Sequence, residues 1–132
     1  MSAGPGGGHA LSTPGLALLA ALAFVVELAL FGGVGAVAYA AVGSGLGAWL
    51  AALAATAAVL VLWGMFMAPK GRWRLGAGAR TLIALVLCAG TAYGLVAAGW
   101  TAWGWFVGVA GLAVVAAQSV LSEPRPGDAP AR

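Results

Sequence analysis

The sequence predicts an all-α integral membrane protein with four transmembrane helices. Of its 132 residues, 63% are hydrophobic and only 7% are charged, whereas an ordinary soluble domain carries about a quarter charged residues. The apolar residues form four runs that are long enough to cross the roughly 30 Å hydrocarbon core of a bilayer as helices, in which every backbone polar group is paired internally. We therefore expect one domain, residues 13–121, folded as a four-helix transmembrane bundle.

The two ends of the chain differ from the apolar runs in composition. Residues 1–12 are rich in Gly, Ser and Pro, and residues 122–132 contain three prolines and four charges. Neither segment has enough apolar side chains to offset the entropy of ordering it. Both are predicted to be disordered tails, and His9 is predicted to be solvated.

Helix 1 is predicted to span about residues 15–42. Thr13 is the expected N-cap and Pro14 the first helical residue, where a missing N–H is tolerated, and Gly43-Ser44-Gly45 ends the helix. A cleaved signal peptide is the alternative, because Ala36-Val37-Ala38 looks like a cleavage site. However, the run is too long, has no basic segment before it and is interrupted by Glu27.

The other three helices follow from the remaining apolar runs. Helix 2 is predicted over about residues 48–67 and ends before Pro69, because a residue before proline is biased away from helical geometry. Helix 3 is predicted over about residues 81–98, and a tight turn at Gly99 leads into helix 4 over about residues 101–121.

The basic residues predict the orientation in the membrane. Four of them form a basic loop at the membrane surface between helices 2 and 3, and Arg125 and Arg132 follow helix 4, whereas the loops around Ser44 and Gly99 contain no Lys or Arg. By the positive-inside rule, both termini lie in the cytoplasm and the protein spans the cell membrane. Its contact surface is the lipid bilayer, and no nucleic-acid partner is expected. The residues of the basic loop are Lys70, Arg72, Arg74 and Arg80.

Aromatic side chains are expected at the opposite ends of the helices. Tyr39, Trp49, Trp100 and Trp103 fall there and predict an interfacial belt. We interpret them as anchors at the outer boundary of the membrane.

Glu27 is the one acidic residue inside the four predicted spans. An ionised carboxylate in hydrocarbon costs at least about 2.5 kcal/mol by insertion scales, so Glu27 must face protein, find a partner or stay protonated. If Tyr39 marks the outer boundary, Glu27 lies level with Trp63 and Cys88, and the indole N–H of Trp63 or the long side chain of Lys70 could reach it. If helix 1 enters the membrane at Gly15, Glu27 lies instead level with Thr56 and Tyr93.

Other chemical signatures point away from an enzyme. Cys88 is the single cysteine, so neither a disulfide within the chain nor a zinc site is expected. No nucleophile elbow, acidic pair or phosphate loop is present, so no catalytic residue, metal or cofactor is predicted. Three Gly-xxx-Gly pairs, which begin at Gly43, Gly90 and Gly104, predict close helix packing.

A resemblance to a known family rests on two features of the sequence. These are Glu27 and the segment that ends helix 2, Leu62-Trp63-Gly64-Met65-Phe66-Met67-Ala68-Pro69-Lys70. Over roughly residues 22–121, the chain resembles the YrdB-like family of uncharacterised bacterial membrane proteins. That family is similar in size and in having four spans, an early acidic residue in the first helix and a Trp-Gly-x-Phe-x-Ala-Pro-Lys type ending to the second. The resemblance implies no activity, but it directs attention to Glu27, Trp63, Pro69 and Lys70.

Two functions remain open at this point. The scarcity of polar groups favours a structural or accessory membrane protein, which forms a parallel homo-oligomer or packs against a larger membrane protein. The alternative is a small proton-coupled transporter or ion pathway that uses Glu27. It has a superficial similarity to small multidrug resistance exporters, although their antiparallel dimers require a weaker charge bias than the basic loop provides.

Overall fold

The computed structural model describes residues 12–67, 70, 73 and 75–121. Within them the chain forms four helices and no strand: α1 (Thr13–Val42), α2 (Leu46–Leu62), α3 (Ala77–Ala97) and α4 (Thr101–Leu121). α2 continues through a π turn over Trp63–Met67. All four helices are long and apolar enough to cross a membrane, which confirms the predicted fold class. The tails 1–11 and 122–132, together with Pro69, Arg72 and Arg74, lie outside the described residues.

Three helix starts differ from the sequence prediction. Ser12, not Thr13, is the N-cap of α1, and its side chain makes no capping hydrogen bond. α2 begins at Leu46 and α3 at Ala77, two and four residues before the predicted positions 48 and 81. The small residues Ala77, Gly78 and Ala79 offer no side chain that competes with the helix, and the N–H of Arg80 donates to the carbonyl of Gly76 at 3.1 Å. Arg80 therefore belongs to the first turn of α3 and not to the loop.

The turns after α1 and after α3 agree with the prediction. α1 ends at Val42, and Gly43 and Gly45 have φ angles of 106° and 84°. Gly99 has a φ of 90° in the turn between α3 and α4. These left-handed conformations favour glycine because a Cβ would clash with the backbone.

The four helices run alternately up and down. Tyr39 of α1 packs edge-to-face on Trp49 near the start of α2, and Gly111 of α4 lies against Cys88 of α3. One end of the structure thus contains Ser12, Lys70, Arg80 and Leu121, and we call it the basic end. The opposite end contains Val42, Leu46 and Trp100, and we call it the aromatic end.

α1 is the central helix because it packs against all three others. α3 and α4 form a tight antiparallel pair, and together with α1 they enclose a buried core cluster of Leu30, Cys88, Leu95 and Val107. α2 packs chiefly on α1, and Ala48 is its one buried residue among those described. Three helices thus share the core, and the fourth is attached to one side.

Candidate functional site

Glu27 lies on the inner side of α1. It is half-buried, and residues three and four positions further along a helix share its face. These residues are Leu30 of the core and Phe31, which contacts α2. Glu27 therefore lies at the seam between α2 and the α3–α4 pair.

Trp63, a predicted partner of Glu27, packs on the same face of α1. Its ring packs edge-to-face on Phe31 with a centroid distance of 5.6 Å and an interplanar angle of 79°, one helical turn from Glu27. Among the described residues, however, no hydrogen bond joins the Trp63 indole to the carboxyl group, and Glu27 has no hydrogen-bonding or ionic partner. The structure thus brings the two residues to the same region without pairing them.

The neighbours of Glu27 agree with the first of the two registers considered from the sequence. The adjacent Val26 lies near Gly111 and Cys88, so Cys88 is level with Glu27 as predicted. Thr56 lies closer to the aromatic end, where its hydroxyl donates to the carbonyl of Phe31 at 3.4 Å. The alternative, in which Glu27 is level with Thr56 and Tyr93, does not describe this packing.

The end of α2 closest to this region is a π turn. A π turn places one extra residue in a helical turn and often occurs at functional sites. The following segment folds back onto it, since the N–H groups of Trp73 and Leu75 donate to the carbonyls of Met65 and Phe66 at 3.4 and 3.2 Å. Trp63, the first residue of the turn, is thereby held beside α1.

The described basic residues do not pair with Glu27. Lys70 is exposed and forms no ion pair within the described part of the chain. Arg80 is half-buried, and its Nε has no hydrogen-bond partner there. The expected role of Lys70 as a cation that reaches Glu27 is therefore not seen in this arrangement.

The chemistry available at Glu27 is that of one carboxyl group. It can exchange a proton or accept hydrogen bonds from a polar side chain of another molecule. Among the described residues, no group of three or more His, Cys, Asp or Glu side chains is placed to hold a metal ion.

A second feature, which the sequence interpretation missed, is a groove between α2 and α4. It has a volume of about 550 Å³, and α1 forms its floor because α2 does not close against α4. The sequence signal was the cluster of small residues after Phe31, which leaves no large side chain on the floor between Gly32 and Ala36. The residues that define this α2–α4 groove include Gly32, Gly35, Ala36, Trp49, Leu53 and Trp103.

Two aromatic pairs flank the groove at the aromatic end. Tyr39 and Trp49 have ring centroids 5.2 Å apart, and Trp100 and Trp103 have centroids 6.2 Å apart. These four residues therefore lie at one end of the helices, and their role as membrane anchors stays a prediction. Trp103 reaches deeper than an interfacial anchor, because its indole N–H donates to the carbonyl of Ala29 at 3.1 Å.

The Gly-xxx-Gly pairs differ in what they contact. A Cβ at Gly104 would lie 2.8 Å from the carbonyl oxygen of Ala92, and one at Gly108 would lie 3.3 Å from the Ala92 Cβ, so this pair is a packing face between α3 and α4. Gly94 packs on Val37, but Gly90 and Gly43 meet open space. One of the three predicted pairs is thus a complete helix contact.

Comparisons with known proteins identify a family but no activity. Neither a curated protein nor a solved structure matches the chain. Residues 21–118 match a family described as a protein of unknown function, DUF2568, and this range includes Glu27, Trp63 and the whole α2–α4 groove. Because the match covers most of the sequence, from α1 to α4, the chain belongs to the DUF2568 family.

Proposed function

We propose that this protein is an accessory membrane protein that assembles with a further transmembrane helix, supplied by a parallel second copy or by a larger membrane protein. It works by association and not as an enzyme. The likeness to the YrdB-like bacterial proteins and the placement in a bacterial cell membrane belong to the same proposal.

The observation that carries this proposal is that the carboxyl group of Glu27 has no hydrogen-bonding or ionic partner among the described residues. A membrane-embedded polar group gains stability when a hydrogen-bond partner replaces hydrocarbon, and the described residues supply none. A polar or basic side chain of an associated helix would supply it. Glu27 is half-buried and not enclosed, so a partner side chain has access at the seam beside α2.

The one-sided attachment of α2 supports the same proposal. α2 has one buried residue among those described, and most of its large apolar side chains are exposed, including Leu53 at 65% and Val61 at 59%. A partner helix could pack beside α2 without disturbing the α1–α3–α4 core.

The charge distribution supports one fixed orientation. The alternating helices place Lys70 and Arg80 at the same end as Ser12 and Leu121, and the positive-inside rule assigns that end to the cytoplasm. A single orientation makes all copies parallel, so a homo-oligomer would bring equivalent Glu27 residues to the same depth.

Energy transfer in vesicles tests the assembly. Ser44→Cys in a Cys88→Ala background provides one labelling site in the loop after α1, and donor- and acceptor-labelled protein is reconstituted together at several protein-to-lipid ratios. We expect energy transfer above the random level, and Glu27→Ala should weaken self-association by about three- to twentyfold, the range that corresponds to one membrane hydrogen bond. Glu27→Gln should retain most of the association because an amide also hydrogen-bonds.

Leu28→Ala is the matched control, since Leu28 is the next residue and 54% exposed. It should associate like the parent protein. A parent protein that remains monomeric at every ratio would exclude the homo-oligomer and leave the larger partner, whereas equal association of the Glu27→Ala and Leu28→Ala variants would remove Glu27 from the interface.

The second candidate function is a proton-coupled pathway through Glu27. The carboxyl group lies beside a π turn and has no counter-ion in the part of the chain that the structure describes, which favours this candidate. A hydrophobic carbodiimide modifies protonated carboxyl groups, so labelling of Glu27 should change with pH and disappear in Glu27→Gln if the group exchanges protons. A folded sample that is not labelled at any pH would contradict transport and leave assembly.

A further inference from the structure

The α2–α4 groove is independent of the Glu27 region. It lies on the other side of the α1–α2 contact and opens between helices that are apolar enough to span a membrane. On α1 its open floor includes Gly32 and Ala36, so only one methyl group of α1 rises into this space, while Gly35 is covered by Thr56 of α2. What occupies it in a membrane must come from the surrounding bilayer or from another molecule.

The size of the groove discriminates between these occupants. The groove has a volume of about 550 Å³ and is short, because its residues on α1 run from Gly32 to Tyr39, about 10 Å along the helix axis at 1.5 Å per residue. A transmembrane helix needs about 20 residues and would find no continuous seat. The volume is within the range of small-molecule sites, roughly 300–1,000 Å³, and suits a single flexible hydrocarbon chain.

The aromatic end of the groove is suited to a polar headgroup. Within the described residues, the hydroxyl of Tyr39 and the indole N–H groups of Trp49 and Trp100 make no hydrogen bond. By contrast, the indole N–H of the deeper Trp103 is paired with Ala29. The unpaired groups are donors that suit ester and phosphate oxygens at the membrane interface.

The partial charges at the aromatic end favour a ligand that carries several hydrogen-bond acceptors. α2 and α4 both begin there, at Leu46 and Thr101, and the N-terminal end of a helix carries a partial positive charge. None of the residues that line the groove is charged. The groove therefore combines an apolar channel with a donor-rich rim.

We propose that the α2–α4 groove is a binding site for a bilayer phospholipid, which places one acyl chain over Gly32 and Ala36 and its headgroup beside Trp49 and Trp100. The lipid fills the space that α2 leaves open against α4 and joins the two helices at the aromatic end. This site does not depend on the assembly proposed for Glu27, and either can fail without the other.

Photo-crosslinking tests the lipid site directly. The protein is reconstituted in vesicles of phosphatidylethanolamine and phosphatidylglycerol that contain a trace of phosphatidylglycerol with a diazirine in one acyl chain, and the adducts are mapped by mass spectrometry. We expect adducts to concentrate on Gly32, Ala36 and Leu53. Leu53→Trp fills the groove from α2 and should reduce labelling of Gly32 and Ala36 by about tenfold, the loss expected when a site is blocked.

Leu50→Trp is the matched control for this variant. Leu50 and Leu53 both lie on α2 and are 57% and 65% exposed, but only Leu53 lines the groove. In the Leu50→Trp variant, the lipid should therefore label Gly32 and Ala36 as much as in the parent protein. Circular dichroism of both variants establishes that they fold.

A second measurement uses Trp49→Phe combined with Trp100→Phe. This double variant keeps an aromatic ring at each position but removes both N–H donors. It should lower the fraction of protein that retains a phospholipid in native mass spectrometry.

Three results would overturn the lipid site. The first is labelling spread evenly over exposed positions such as Leu112 of α4, which indicates ordinary lipid contact. The second is an equal effect of Leu50→Trp and Leu53→Trp. The third is labelling of Gly32 and Ala36 that disappears as the protein-to-lipid ratio is raised, which assigns the groove to a second copy.

Discussion

Trp103 shows how one side chain can hold two helices together. Its indole N–H donates to the carbonyl of Ala29 at 3.1 Å, and its ring lies against the position of Gly32, where a Cβ would be 3.4 Å from the ring. α4 is thereby tied to the part of α1 that forms the floor of the groove. In lipid, where no water competes, such interhelical hydrogen bonds still contribute only modestly because the unfolded helices find other partners.

Trp103→Phe should lower the free energy of unfolding by about 0.6–1.7 kcal/mol, the range found for membrane hydrogen bonds. The substitution keeps an aromatic ring and removes the donor. The measurement is unfolding in mixed micelles with increasing denaturing detergent. Trp105→Phe is the control, since Trp105 is on the same helix and 65% exposed; if it costs as much as Trp103→Phe, ring size and not the hydrogen bond determines the loss.

At this scale the sequence predicted where Glu27 lies but not what it pairs with. Counting from Tyr39 correctly placed it level with Trp63 and Cys88, because the rise of a helix is constant. Pairing depends on side-chain directions and on how the π turn displaces Trp63 and the segment after it. A residue count contains neither, which is why the expected contacts of Trp63 and Lys70 with the carboxyl group are absent from the described structure.

The α3–α4 pair depends on the close approach of two backbones. Gly104 is buried against α3, and a Cβ there would lie 2.8 Å from the Ala92 carbonyl oxygen and 3.2 Å from the Val96 nitrogen. Both atoms belong to the backbone and cannot rotate away. The two helices must therefore separate or shift if residue 104 gains a side chain.

Gly104→Ala should destabilise the protein by about 1–3 kcal/mol, the usual cost of overpacking. Gly90→Ala is the matched control on the partner helix, because a Cβ at Gly90 meets open space. Since alanine has a greater helix propensity than glycine, this substitution should leave the free energy of unfolding unchanged or raise it by up to about 1 kcal/mol. Thermal unfolding of both variants in detergent measures the difference. Equal midpoints would mean that α3 and α4 adjust without cost and that the small residue is not required.

Helix existence was predictable from the sequence, but which faces meet was not. The four apolar runs and the glycine turns follow from local composition and backbone geometry. The three Gly-xxx-Gly pairs look alike in sequence, yet only the pair at Gly104 and Gly108 lies wholly in a helix contact. Spacing shows that two small residues share a face, whereas the packing of the whole molecule decides whether that face meets another helix.

The asymmetry of the whole molecule explains why it has two separate sites of interest. Because α2 is attached mainly to α1, one side of α2 borders the seam beside Glu27 and the other borders the α2–α4 groove. A bundle in which α2 also packed against α3 and α4 would have neither opening. Hydrophobic patterning could not reveal this, since α2 is as apolar on its lipid side as on its packed side.

The orientation of the whole protein is testable by labelling single cysteines from outside the cell. In a Cys88→Ala background, Ser44→Cys reports on the aromatic end and Trp73→Cys on the basic end, where Trp73 is 60% exposed. The positive-inside rule predicts that a membrane-impermeant maleimide labels residue 44 in intact cells and residue 73 only after permeabilisation. The opposite pattern would place both termini outside. Labelling of both positions in intact cells would indicate two orientations of the same chain, so that neighbouring copies would be antiparallel and the parallel assembly through Glu27 would be ruled out.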